Sequence, residues 1–422
     1  MRFRYQLENG PTFSVESSCV LPGGLRAAPV APPVMDSLVF HFGLVQLISY
    51  WKSACPPIVE IAVGSLDTWQ IAWWKKLFFR GLSEFFFVNG IEANEESLVD
   101  FRVAEKAAQE LPRLNGILGS DAVMIPVGGG KDSALTMELL GERPNSVFFA
   151  INPIPAALKC IREFDPELRR TVSMEYRIDP QLLTLNQENY LNGHTPFSAL
   201  VAFGTAIAAA LAGTPQVALS NESSASEGNT EFGGFLVNHQ YSKSLEFECD
   251  YREYAARYLL SDYSYFSLLR PLNEIQIAQA FSELSRCHQA FISCNLGGRQ
   301  DRWCGECAKC LFTYVMLSAF WTDEQLFAVF KKDLFEDEEL IPELNALMGY
   351  GGIKPLDCVG TAEEVHSALA LALDLREGEL PPLLRHFRSI FASYPVQEDL
   401  LLTFAEHRVP GPYLDRLKQL FC

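Results

Sequence analysis

A chain of 422 residues, 48% apolar and 12% aromatic, is long enough for two or three domains with cores of their own, and its composition excludes a disordered polymer. Its 34 Lys plus Arg stand against 52 Asp plus Glu, a formal net charge of -18, which argues against nucleic acid as a partner and for a small substrate. Eleven cysteines follow an N-terminus, Met1–Gln6, that lacks the apolar core of a secretory leader, so a reducing, cytoplasmic compartment is expected, where clustered thiols bind metal.

Residues 1–115 predict an N-terminal α+β domain. Arg2–Gln6 and Thr12–Ser17 alternate like hairpin strands, with Asn9-Gly10 at the turn. The Pro-rich stretch 21–33 reads as a linker, and Val39–Trp51, apolar nearly all round, as a buried helix. The aromatic run from Trp69 to Phe87 predicts packed core, because large aromatics dominate core burial. Glu96–Leu111 predicts a helix leading into the next domain.

Residues 116–320 alternate strand, helix, strand, as in a parallel α/β sheet. Val123–Val127 is the end of a buried strand and Ala134–Leu140 a helix with Leu135, Leu139 and Leu140 on one face. Between them lies Gly128-Gly129-Gly130-Lys131-Asp132-Ser133. Glycines let backbone N–H groups approach an anion, and a helix N-terminus adds its positive dipole end, so the segment predicts a phosphate cradle. It is not a Walker A loop: Asp132 follows the lysine directly, and Ile125 stands where the earlier glycine is required. Ser146–Ile151 is the second strand, and Asn152 beyond its carboxyl end is placed near an adenine. Phe197–Gly213, Ala-rich and containing Ser198 and Thr205, predicts a buried crossover helix, too short and polar for a membrane span. Gln216–Ser220 is the next strand.

Two polar loops, Asn221–Asn229 and Asn238–Glu246, follow the sheet's active edge and nominate Asn221, Glu222, Glu227, His239 and Lys243 as a second set of site candidates. A carboxylate among them suits magnesium, which prefers oxygen ligands and substrate phosphates. Lys243 suits a phosphate or, with a lowered pKa, a base. Cys294-x9-Cys304-x2-Cys307-x2-Cys310 predicts a tetrahedral structural zinc, with Cys287 and His288 as alternative ligands. Residues 321–422 read as a helical C-terminal region, with helices at Ala362–Leu375 and Leu380–Phe391. The glycine-rich segment 349–360 interrupts it and offers Cys358 as a proton-transfer thiol.

Gly128–Ser133 resembles the pyrophosphatase-type loop Ser-Gly-Gly-x-Asp-Ser, with glycine in place of the leading serine. The loop followed by the four cysteines is similar to 7-cyano-7-deazaguanine synthase. More of the chain resembles the UDP-N-acetylmuramoyl-L-alanyl-L-glutamate epimerase family. The stretches are Phe40–Gly43, Ser49–Lys52, Gln70–Trp74, Gly129–Ser133, Ser220–Glu222, Asn238–Leu245, Trp303–Cys310 and Lys354–Gly360. The resemblance implies an adenine-nucleotide alpha-hydrolase type sheet, a UDP-linked muramoyl dipeptide substrate, and ATP with magnesium. It also implies inversion of the terminal L-glutamate for cell-wall synthesis. Gly128 to Ser133 would bind pyrophosphate, with Lys131 neutralising charge and Asp132 helping to hold magnesium. His239, Lys243 or Cys358 would supply acid/base chemistry. Adenylate and oxazolone intermediates both remain open, as do a deazapurine-type ligase and a non-catalytic nucleotide- or zinc-binding scaffold. Oligomeric state is not legible.

Overall fold

The computed structural model describes residues 1–104, 111–116, 121–351, 353–392, 394–397 and 399–421. Its centre is a mixed seven-stranded sheet. β1 (Arg2–Gln6) and β2 (Thr12–Val20) form the expected hairpin, and Asn9 takes the positive φ of 53° that its turn requires. β3 (Ile58–Ile61) and β4 (Asp100–Val103) form a separate parallel pair. This corrects the helix expected over 96–111: Asp100–Val103 pairs with Ile58–Ile61 and buries Phe101, while 105–110 lie outside the described residues.

The remaining strands are β5 (Val123–Pro126), β6 (Ser146–Ile151), β7 (Thr171–Tyr176), β8 (Gln216–Leu219), the small hairpin β9 (Thr230–Phe232) with β10 (Phe235–Val237), and β11 (Ser264–Ser267). The large sheet runs β1-β2-β7-β6-β5-β8-β11. Neighbours from β7 to β11 are parallel, and the N-terminal hairpin joins through the antiparallel β2–β7 pair.

Both faces of the sheet are covered, which explains why its central strands are continuously apolar rather than alternating. Val123 and Ile125 of β5 face one core while Met124 faces the other; Phe148 and Ala150 of β6 part from Val147 and Phe149 in the same way. One core is made with the helices Lys131–Leu140, Glu274–Glu283, Ala308–Ser318 and the C-terminal region. The other takes up the N-terminal helices and Phe197–Ala212, so the aromatics of 69–87 are core, as expected. Among the described residues one helix, Pro32–Trp51, has the length and apolarity to cross a membrane, and 72% of its apolar window is buried within the protein.

The order of strands fixes where a ligand belongs. From β5 the chain moves one way to β6 and β7, then returns to lay β8 and β11 on the other side. In open parallel sheets the crevice at such a reversal, beyond the carboxyl ends of the strands, is the binding site. Here the reversal lies between β5 and β8, whose ends continue into Gly128–Lys131 and Asn221-Glu222.

Candidate active site

The glycine loop owes its shape to two different constraints. Gly129 has φ +88°, and a Cβ there would lie 2.5 Å from the Ala157 backbone nitrogen, so only glycine fits beneath the helix Pro155–Arg162. Gly128 instead faces open space, with nothing within 4 Å of an added Cβ. The serine of the resembled motif is therefore not excluded by crowding. The Ser133 hydroxyl donates to the Gly130 carbonyl and accepts from Gly129 N–H, closing the first turn of the helix. Ser293 Oγ accepts from Lys131 N–H at 3.1 Å and Ile292 N–H donates to Gly129 O, which fastens the loop to the segment entering the cysteine cluster.

Lys131 is 3% exposed, and its Nζ lies 2.5 Å from Asp132 Oδ1 and 2.7 Å from Glu274 Oε2. Burial opposes its charge, but the two carboxylates prevail and hold its pKa above the ordinary lysine value. Asp132 resists burial through Lys131 and stays ionised below the usual carboxylate range. Glu274 goes the other way. Burial and the nearby Asp132, Glu222 and Glu364 raise its pKa despite the pull of Lys131, since one ammonium cannot neutralise so many carboxylates. Asp132, Glu222 and Glu274 offer oxygens that all lie within 4.8 Å of one another. Such an oxygen donor set with excess negative charge suits a hard divalent cation.

Glu222 and Lys243 are held by one buried arginine. Arg270, 1% exposed, donates to the backbone carbonyls of both and pairs with Glu248 at 3.4 Å. Glu274 is placed by its own N–H, which donates to Glu364 Oε1 at 2.9 Å, and Glu364 in turn caps the helix Ala362–Asp374.

The three acid/base candidates, far apart in sequence, meet. Cys358 lies beside both His239 and Lys243 and interacts electrostatically with each. Burial alone would push the Cys358 thiol up, but Lys243, Lys309 and His239 pull it down to about 6. His239 moves to about 9 because its bonds to Cys358 and Glu84 outweigh burial. Lys243, raised by Cys358 and Glu222 against burial, stays charged. These shifts favour a thiolate at Cys358 beside charged His239 and Lys243 near neutrality, and the lysine is raised rather than lowered as a lysine base would require.

Other candidates have structural occupations. Glu227 pairs with Lys354 at 2.6 Å, and Asn229 donates to Pro355 O at 2.9 Å, so the first polar loop ties down the segment that carries Cys358. The Asn152 side chain bonds the Tyr176 backbone on both sides, spanning the ends of β6 and β7. Asn221 stands at the end of β8, where its carbonyl accepts from Ser267 Oγ at 2.7 Å.

Cys294, Cys304, Cys307 and Cys310 converge, with Cys294–Cys307 and Cys304–Cys310 sulfurs 4.0 and 3.6 Å apart. Four thiolates about 2.3 Å from a tetrahedral ion would stand about 3.8 Å from one another, so the spacing fits zinc. Gly305, at φ +76°, turns the chain between Cys304 and Cys307. Cys287 and His288 lie outside the cluster, the first interacting with Cys160 and the second hydrogen-bonded to Phe281 O.

Sequence reasoning missed Glu84, His194, Glu274, Arg270 and Glu364, ordinary polar residues in apolar helices and loops that only the fold brings to this edge. Lys52 and Lys309 lay within the stretches of resemblance without being singled out.

The described geometry can be set beside known proteins. A family model of the MurL N-terminal domain matches residues 1–268, and one of the MurL C-terminal domain matches 283–399. The chain is 31% identical to the UDP-N-acetyl-alpha-D-muramoyl-L-alanyl-L-glutamate epimerase of Xanthomonas oryzae pv. oryzae, over 99% of this chain and 93% of that protein. Epimerases of the same name from a Micromonospora species and from Salinispora tropica are each 31% identical, over 93% and 81% of this chain and 89% and 76% of theirs. No solved structure matches the chain.

Proposed function

The chain belongs to the UDP-N-acetyl-alpha-D-muramoyl-L-alanyl-L-glutamate epimerase (MurL) family, and from that premise we propose that it inverts the terminal glutamate of the UDP-linked muramoyl dipeptide at the expense of ATP. The sheet and its glycine loop are then those of the pyrophosphatase-loop, adenine-nucleotide alpha-hydrolase type, with ATP phosphates over Gly128–Ser133. The observation that carries the proposal is the placement of a phosphate-type loop close to the meeting of Cys358, His239 and Lys243.

The chemistry needs both halves. An α-proton beside a free carboxylate is barely acidic, because its removal places a second negative charge on an anion. Transfer of AMP to that carboxylate, with loss of pyrophosphate, removes the charge and makes the acyl group electron-withdrawing. Lys131 and the helix N-terminus at Lys131–Ser133 would neutralise the departing pyrophosphate. Asp132, Glu222 and Glu274 would hold magnesium, which when bound screens the phosphate oxygens. Asn152 orders the strand ends beside the adenine rather than offering a free donor.

Cys358 thiolate then takes the α-proton: the Cα–H bond breaks, an S–H bond forms, and the electron pair moves onto the acyl oxygen. Lys243 and the His239 imidazolium stabilise the thiolate before transfer. Reprotonation from the opposite face and hydrolysis release the D-glutamate product and AMP. An oxazolone formed by attack of the preceding amide carbonyl would raise the acidity of the same proton and needs the same base. In the same reading the four cysteines would hold a structural zinc.

Product analysis tests the proposal. Incubation with ATP and the UDP-linked dipeptide should yield AMP, pyrophosphate and D-glutamate after hydrolysis; a new C–N bond, or no AMP, would contradict it.

A further inference from the structure

Behind His239 lie two half-buried polar residues that the mechanism above does not use, Glu84 and His194. Glu84, from the helix Ser83–Asn89, points a carboxylate oxygen at two imidazoles: it hydrogen-bonds His239 Nδ1 and lies 3.5 Å from His194 Nδ1. The two rings are 4.5 Å apart at their centroids, and all three side chains are largely shielded from solvent. Behind them Lys52, 6% exposed, donates to the backbone carbonyls of Gly193 and His194, which fixes the loop that carries His194. With Nδ1 given to Glu84, His239 has its other ring nitrogen for Cys358.

We propose that Glu84 is the positioning residue of the epimerase site, fixing the His239 ring beside Cys358, so that Cys358, His239 and Glu84 act as one unit. The inference rests on the proposed role of Cys358 as base. It explains three observations together. A buried imidazolium needs an anion on each side, and it has them in the Cys358 sulfur and the Glu84 carboxylate. A ring held at Nδ1 by Glu84 is fixed in orientation beside the sulfur. His194, buried beside His239 and Lys52, is pushed down to about 4 and stays neutral, so it does not compete as a cation for Glu84. Charged groups from other elements also face the pair: Lys243 and Lys309 face Cys358, Asp357 faces His239, Lys52 faces Glu84, and Lys52 and Lys243 face His194. Glu84, His194 and His239 also lie close enough to share a metal ion, and that alternative predicts different behaviour.

The test uses the full-length protein and Glu84→Gln, which keeps the side chain's shape and removes its charge. Three readouts are taken: AMP formation with the UDP-linked dipeptide, exchange of the α-proton in deuterated water, and the pH profile of Cys358 alkylation by iodoacetamide, followed on the Cys358 peptide by mass spectrometry. The expected result is AMP formation within about twofold of the parent, exchange slower on the order of 10²-fold, and loss of the imidazolium at a pH about one unit lower, visible in the alkaline limb of exchange. Exchange and alkylation unchanged in Glu84→Gln would overturn the proposal. So would equal loss of AMP formation, which marks a general structural role, or a stoichiometric divalent ion in the parent that Glu84→Gln releases. A parent protein whose Cys358 alkylates with an ordinary thiol profile would instead contradict the Cys358 base itself, so the two failures are distinguishable.

Discussion

The proposed mechanism turns on Cys358, whose environment makes a signed prediction. The base must be a thiolate and its partner an imidazolium, with pKa values of about 6 and about 9. The rate of α-proton exchange should therefore rise as pH increases through about 6 and fall as it passes about 9, giving a bell whose limbs belong to the pair. Cys358→Ala should slow exchange by about 10²- to 10⁴-fold while AMP formation continues; an unaltered exchange rate would remove Cys358 from the reaction. The glycines make a second contrast. Gly129→Ala forces a Cβ onto the Ala157 backbone at positive φ and should abolish AMP formation, whereas Gly128→Ser enters open space and should retain it. An active Gly129→Ala variant, by AMP assay, would contradict the loop geometry.

These residues also show what a sequence can carry. Gly128–Ser133 and the four cysteines are local patterns whose spacing encodes geometry, and they were legible. His239, Lys243 and Cys358 could be nominated one by one, but not as partners, because 119 positions separate His239 from Cys358 and only the fold closes that gap. Glu84 carries no signal at all: it sits in a run of phenylalanines, Phe85 to Phe87, that reads as core, and its neighbours Phe85 and Phe86 are core.

At the scale of elements, the strands of the sheet were legible from short apolar runs, while the strand β4 was not. Asp100–Val103 is only four residues long and gains its conformation from pairing with β3, a contact 42 positions away that outweighs local helix propensity. Connections do as much for the site as strands do. Arg270 follows β11 and clamps the end of β8 to the Lys243 turn. Arg270→Met should leave Glu248 buried without its partner and cost about 3 kcal/mol in a urea melt; a loss below about 1 kcal/mol would show that the clamp is dispensable.

Across the whole molecule, the cysteine cluster links the two halves of the chemistry. Ser293 and Ile292, just before Cys294, hold the glycine loop, and Lys309, between Cys307 and Cys310, faces Cys358 and Asp132. Metal analysis should find one zinc per chain, and its removal by a chelator should lower both the melting temperature and AMP formation. A chelated protein with unchanged melting and turnover would separate the cluster from the site. Both sheet faces contribute: Glu84 and His194 come with the N-terminal core, while Lys131, Glu274 and Lys309 belong to elements packed on the other.

The proposed carboxylate activation and proton removal are joined most directly by one measurement, the fate of the glutamate α-hydrogen in deuterated water. With ATP present, the D-glutamate product should carry deuterium at its α-carbon, and one AMP should appear for each activated molecule. Inversion that retains the original α-hydrogen, or that proceeds without ATP, would contradict the mechanism.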